Sequence, residues 1–386
     1  MHFRTIVGPA AEGDRYFHRK HLDQLLVKYL SAGSHLLLSA PRRVGKTSFL
    51  KHAEKHPPAG YRLKYHITES INDTNEYFKR LYKSLLEEVS KKSRLWEQIG
   101  DQLKRTKVKK LSASGIELGA ADVDYYDEFT RLAKELDFEE VLVFVVDEFS
   151  QTLDNIVLDH GEKAGARFLQ LNRELRQMGD VSAKLRFIYC GSIGLGNIAH
   201  RINSSKHIND LTNFPIPPLS VQEGHQFIQS LIVDPALDFP TQTRTYLLDQ
   251  LAWLIPFYIQ IVLDELDTLF LQQGAASKVD STHIDDAIQA ALRNRTYFEH
   301  WHQRLRTAFS GNDFTFAKEL LNKCSSAKSG FSTTKVFDLA EGKSLRDRYK
   351  SIVNTLEYDG YIELTGKKYV FNSPLLRMWW AQNIAI

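Results

Sequence analysis

The sequence has little that would mark a secreted or membrane protein. Only two of its 386 residues are cysteines, Cys190 and Cys324, in unrelated contexts. They allow neither a disulfide framework nor a zinc spacing, so a reducing, cytoplasmic setting is the default. The opening MHFRTIVGPA holds no signal-peptide apolar stretch. No window approaches 18 uninterrupted apolar residues, so no membrane span is expected. Charge of one sign is missing too: 50 Lys/Arg against 47 Asp/Glu leave +3, and nothing global demands nucleic acid. No internal repeat is visible.

What remains is an ordinary globular composition, 43% hydrophobic and 25% charged, long enough for two or three domains. The small charge excess is uneven. From His300 onward there are 13 Lys/Arg and 8 Asp/Glu, a modestly basic C-terminal module on a near-neutral body.

Along the chain, Leu22, Leu25, Leu26, Tyr29 and Leu30 recur at helical spacing and Gly33 ends that helix. HLLLS (35–39) reads as a buried strand, KTSFLKHAEKH as the next helix and YRLKYHIT (61–68) as a second strand. Residues 75–99 form a long amphipathic helix. Residues 104–122 are basic and then Ser/Gly-rich, an exposed excursion or hairpin. A helix over 125–136 precedes VLVFVV (141–146), the continuous run of a central parallel strand. A helix over 162–178 and a strand at 184–191 complete an α/β parallel sheet. After PIPPLS (215–220) the pattern turns helical to 298, with Ser281 as a cap. From 300, short helices lead to YIEL and KYVF separated by TGK, a hairpin that suggests a winged helix.

Three places carry chemistry. SAPRRVGKTSFL (39–50) follows the pattern Gly, four residues, Gly-Lys-Ser/Thr, except that Ala40 stands at its first position. Such a loop wraps phosphate oxygens with backbone N–H groups at a helix N-terminus. Pro41, Arg42, Arg43, Val44, Gly45, Lys46, Thr47 and Ser48 are its nucleotide-binding candidates. Gly45 lets the backbone approach, Lys46 neutralises phosphate charge and the Thr47 hydroxyl ligates Mg²⁺. Alanine substitutes at position 40 provided its φ is negative. A chance GKT on a surface turn would not sit between a buried strand and an amphipathic helix. The second place is VLVFVVDEFS (141–150), which puts two acids at the sheet's C-terminal edge, where open α/β sheets bind ligands. Asp147 would hold Mg²⁺ and Glu148 would polarise the attacking water. The third is Gly191-Ser192 at a strand exit, where Ser192 can face the γ-phosphate. The GLGN that follows lacks the full GxGxxG, so no dinucleotide fingerprint is read there.

IVGPA with YFHR, APRRVGKTSFL, VLVFVVDEFSQTL, FIYCGSIGLG, PPLS, PFYIQIV and YVFNSPLLRMWW occur in order over nearly the whole chain. This series resembles the archaeal-type ATPase family, a STAND branch similar to AAA+ and origin-recognition ATPases. The resemblance implies an α/β P-loop NTPase core of AAA+-like parallel sheet (1–219), a helical lid (220–298) and a C-terminal winged-helix domain (299–386). It implies an ATP hydrolase using ATP/ADP and Mg²⁺, with Lys46 and Thr47 at the phosphates and metal. Asp147 and Glu148 would be the second acidic motif, Ser192 the first sensor, and Val7, Gly8 and Pro9 the adenine-side segment. Two departures stand out. The lid's usual Gly-x-Pro is here Leu254-Ile255-Pro256, keeping only Pro256. The arginine that often precedes Pro-Leu-Ser is missing, which leaves Arg201 and Arg173 as arginine-finger candidates.

In the C-terminal module a reading helix is expected around Asp347–Tyr358. Arg346, Arg348, Lys350, Lys367 and Lys368 are candidate contacts to double-stranded DNA, although any solvated face shows such charges. Trp379 and Trp380 read as packing residues. Two functions stay open: a DNA-associated ATPase whose nucleotide state controls the winged helix, and a slow signalling switch that changes a protein effector or a homo-oligomer.

Overall fold

The computed structural model describes all residues except 91–107, 113–114, 119–122, 137–138, 192–193, 274–277 and 386. Contacts divide the chain into two units: Arg19–Ser39 with Phe49–Pro215, and Met1–His18 with Ala40–Ser48 and Ile216–Ile386. Where the sequence reading runs 1–219 as one core, residues 1–18 and 40–48 group here with the C-terminal half.

The first unit is built on a parallel sheet. In chain order it holds α1 (Lys20–Ser31), β1 (Leu36–Ser39), most of α2 (Lys46–Lys55), β2 (Tyr61–Ile67) and α3 (Thr74–Ser90). Next come β3 (Val108–Ser112), β4 (Gly115–Leu118), α4 (Tyr125–Glu135), β5 (Val141–Asp147), α5 (Phe149–His160) and α6 (Glu162–Gln177). The short α7 (Gly179–Ser182), β6 (Leu185–Cys190), α8 (Leu195–Arg201) and β7 (Thr212–Pro215) complete it. The strand order is β2-β5-β6-β1-β7, all parallel. Every strand therefore ends at the same edge, where β1 delivers the chain into the loop and β5 delivers Asp147. β5 is buried from Leu142 to Asp147, the outcome expected of a continuous apolar run covered on both faces. On α1, Leu22, Leu26 and Leu30 turn inward at a spacing of four. Gly33 follows at φ +79°, the left-handed stop that a residue with a Cβ resists.

The excursion after α3 contains the hairpin β3–β4. Lys104 to Lys107 of its basic stretch lie outside the described residues, as does the end of the helix expected to reach 99. The sequence reading assigned no helix after Glu148, yet Phe149, Leu153 and Ile156 are buried on α5 at helical spacing.

A buried histidine, His35, and a half-buried one, His66, make this unit acid-sensitive. Burial, then nearby arginines, push His35 down to about 4. Its Nδ1 accepts the Phe187 N–H at 3.1 Å, a bond that protonation there would break. His66 is pushed down to about 4 by burial and then by Arg80 and Lys64. Both rings stay neutral in the folded chain, while an unfolded histidine titrates near 6.5. Between those values only the unfolded chain takes up the protons. Stability is therefore full above pH 6.5 and falls as pH drops toward 4, by up to about 1.4 kcal/mol per histidine per pH unit. Thermal unfolding midpoints between pH 7.5 and 5 check this; a flat midpoint would mean the folded rings accept protons.

The second unit begins with residues 1–18, which run along its helices. Phe3, fully buried, forms a bridge to Ile232, and the Ile6 N–H donates to Gln260 Oε1 at 2.7 Å. Four helices follow: α9 (Val221–Leu231), α10 (Thr241–Leu251), α11 (Pro256–Gln273) and α12 (Ser281–Arg293). Ser220 caps α9 in a reciprocal box with Glu223. The cap of α12 is Asp280, not Ser281: its carboxylate accepts the His283 N–H at 3.1 Å, and a carboxylate at a helix N-terminus also meets the positive end of the dipole.

After α13 (Glu299–Ala308) come α14 (Gly311–Ser326), β8 (Phe331–Ser332), α15 (Thr333–Glu341), α16 (Tyr349–Tyr358), β9 (Ile362–Thr365), β10 (Lys368–Phe371) and α17 (Pro374–Asn383). The strands form an antiparallel sheet in the order β8-β10-β9. Helix, strand, two helices and a hairpin are the order of a winged helix. Trp379 stacks on Phe298 and the Trp380 indole donates to Asn322 Oδ1 at 2.9 Å, so both pack inward as the sequence suggests. Among the described residues no helix is long and apolar enough to cross a membrane.

Candidate nucleotide site

The loop belongs to the second unit. Ala40 is not among the positive-φ residues, which is the condition under which alanine replaces the pattern's first glycine. Gly45 is at φ +100°, a conformation that resists any other residue. Lys46 opens α2 and is 8% exposed; its Nζ donates to Ala40 O at 2.6 Å and to Pro41 O at 3.0 Å. The ammonium is thus already held within the loop that would surround a phosphate.

Arg43 has φ +68°, uncommon and strained for a residue with a Cβ. The twist sends its side chain away along the loop's flank. Nη1 donates to Gly8 O at 3.0 Å and the guanidinium lies 4.6 Å from the Phe257 ring centroid. Arg43 therefore ties the loop to the Val7-Gly8-Pro9 segment and to the first turn of α11, which Pro256 begins. Ser48 does similar work, its Oγ accepting the Ala11 N–H at 2.9 Å. Arg42 and Thr47 are half-buried and Val44 is 2% exposed. Leu254 keeps an ordinary φ, so no backbone demand for the lid glycine exists there.

The C-terminal module reaches this loop. Gly360, just after α16, sits at φ +84°, and a Cβ there would lie 2.9 Å from Pro41 Cβ and 2.8 Å from the Trp253 ring. Beside it Asp359 is 3% exposed and bonded by Arg304 through two nitrogens, at 2.8 and 2.6 Å. Burial pushes the Asp359 carboxyl up, against the pull of Arg304, Arg42 and Lys46. His300 adjoins the same cations: burial, then Arg43 and Arg42, push it down to about 3. No sequence signal pointed to Gly360, Asp359, His300 or Phe257.

The acidic pair belongs to the first unit. Asp147 is 5% exposed. Its Oδ1 accepts the Glu148 N–H at 3.1 Å and its Oδ2 accepts the Tyr65 phenol. Glu148 caps α5 at φ +59°, the left-handed region again. Backbone strain of this kind costs about 1–3 kcal/mol and clusters at functional sites. Ser192 lies outside the described residues. Gly191 before it packs so tightly that a Cβ would come 1.9 Å from Ser150 Oγ. Of the finger candidates, Arg201 pairs with Asp154 on α5, and Arg173 donates to the Lys206 carbonyl. Both guanidiniums already have partners.

In the C-terminal module, Arg346 pairs with Glu341 at 3.8 Å and Arg348 with Asp313 at 2.5 Å. Lys350, Ser351 and Asn354 form the exposed strip of α16, and Lys367 and Lys368 are exposed on the hairpin.

Neither a family model nor a curated protein matches the sequence. Solved structures do. The chain is similar to a Walker-type ATPase of Pyrococcus abyssi, 14% identical, with a TM-score of 0.60 over 97% of this chain and 98% of that one. It is also similar to the ORC2 protein of Aeropyrum pernix in its ADPNP–ADP complexes, 12% identical, with a TM-score of 0.54 over 95% and 92%. At these identities the likeness is one of fold: an α/β P-loop NTPase fold with a parallel sheet.

Proposed function

We propose that the chain binds ATP with Mg²⁺ and hydrolyses its γ-phosphate anhydride, and that the nucleotide state governs the winged helix. The observation that supports this most is the loop: left-handed Gly45 and buried Lys46 at the first turn of α2, directly after a parallel strand. Backbone N–H groups at a helix start, with one ammonium among them, favour a polyphosphate. The structures it resembles include one in ADPNP–ADP complexes, in keeping with an adenine nucleotide.

In this reading Lys46 neutralises phosphate charge, the Thr47 hydroxyl and the Asp147 carboxylate hold the metal, and Glu148 takes the proton of the attacking water. The donors suit Mg²⁺, since all are hard oxygens. The metal, when bound, neutralises charge building up on the phosphates. The contact of Gly360 with Pro41 supports control of the winged helix, because a loop that shifts around a phosphate cannot leave that glycine undisturbed. We assign double-stranded DNA to the exposed strip of α16 and to Lys367 and Lys368. The slow-switch reading is favoured by the engaged Arg201 and Arg173: an arginine from a protein effector or a second copy of the chain would then complete the site.

The test is titration of the full chain with ATP and Mg²⁺, then with duplex DNA over a salt series. Lys46→Ala is expected to weaken ATP binding about 10- to 100-fold, the worth of hydrogen bonds to a charged group. Three lysines on phosphates predict a log–log salt slope of about −3 for DNA. ATP binding that survives Lys46→Ala would sink the nucleotide reading, and a flat salt response would remove DNA.

A further inference from the structure

We propose that Tyr65 is the positioning residue for the metal-holding carboxylate of Asp147. The proposal rests on the ATPase reading and deepens it. β2 and β5 run parallel with Ile67 opposite Asp147 and Tyr65 opposite Val145. Side chains two apart on a strand share a face, so Tyr65 and Asp147 project from the same side of the sheet, one step apart along the diagonal. A phenol is long enough to cover that step, and the Tyr65 hydroxyl donates to Asp147 Oδ2.

The bond completes a defined environment for the acid. Oδ1 accepts the Glu148 N–H at 3.1 Å and Oδ2 accepts the phenol. The two donors thus approach the carboxylate at different oxygens. Held at both oxygens, the plane of the carboxylate is fixed by these two bonds.

Tyr65 is itself anchored. β2 is an edge strand, and the Tyr65 N–H donates to Glu54 Oε1 on α2 at 2.9 Å. That is the helix whose first turn supplies Lys46 and Thr47. Glu54, Tyr65 and Asp147 thus form a continuous series of hydrogen bonds from the phosphate-loop helix to the metal-holding acid. Partners that orient a metal ligand in this way are typically worth about 10- to 100-fold in metal affinity.

The experiment compares the full chain with Tyr65→Phe, which removes one oxygen and keeps the ring. The probe is Mn²⁺ followed by electron paramagnetic resonance at saturating ADP, beside ADP binding in EDTA and a thermal melt. The expected result is a Mn²⁺ midpoint raised about 10- to 100-fold, with metal-free ADP affinity and melting temperature unchanged. An unchanged midpoint would overturn the proposal. So would a loss of ADP affinity that is equal with and without metal, which marks a structural role. If the parent chain binds neither ADP nor Mn²⁺ with ADP, the ATPase reading fails and the proposal falls with it.

Discussion

Glu148→Gln is expected to lower ATP turnover by about 10²- to 10⁴-fold, the usual worth of a positioned general base, while ATP still binds. The substitution is nearly isosteric. It keeps the N-cap position of α5 and the backbone at φ +59°, and removes only the capacity to accept a proton. The neighbouring Asp147 is a poor alternative base: it is 5% exposed and both its oxygens already accept hydrogen bonds. Single-turnover hydrolysis beside equilibrium ATP binding separates the outcomes. Equal turnover in both proteins would show that Glu148 is not the base. Lost binding would show that it shapes the site instead. The parent rate itself should be low, because an arginine finger is worth about 10³–10⁵ and the two local candidates are held by Asp154 and the Lys206 carbonyl.

The largest stability effect is expected at Asp359. Its carboxylate and the Arg304 guanidinium form a paired contact between the end of α16 and α13, with side chains 2% and 6% exposed. Asp359→Ala would remove the buried carboxylate that Arg304 bonds through two nitrogens, and breaking a buried pair from one side costs about 3–5 kcal/mol. Chemical denaturation of the full chain measures it. Adding Arg304→Ala should recover part of the loss, since much of the penalty of a one-sided break lies in the desolvated charge that stays behind. A loss below about 1 kcal/mol would match the worth of a solvated ion pair and would mean that water reaches the site. Because Asp359 also interacts with Arg42 and Lys46, the same variant reports whether the winged helix is felt at the loop.

Much of this fold could be read in advance because its signals are local. HLLLS, YRLKYHIT, VLVFVV and KLRFIYCG each became a strand of the parallel sheet, since apolar runs bounded by turns have few other uses. YIEL and KYVF pair as the hairpin β9–β10 because TGK permits a tight reversal. Local signals also misled. Ser281 looked like a cap, but Asp280 one residue earlier took the role. α5 follows directly on the two acids with no capping signal before it, and only Phe149, Leu153 and Ile156 carry its period.

By itself, then, the sequence determined four strands of the parallel sheet, the glycine-lysine-threonine loop, the helical run after residue 220 and the terminal hairpin, because each depends on residues within a turn or a strand of one another. Tertiary structure alone decided that Tyr65 serves Asp147 across 82 residues, that Arg304 neutralises Asp359 across 55, and that Gly360 meets Pro41. Those contacts depend on strand register and on the packing of distant helices, and a contact set by register or packing leaves no pattern in the residues nearby.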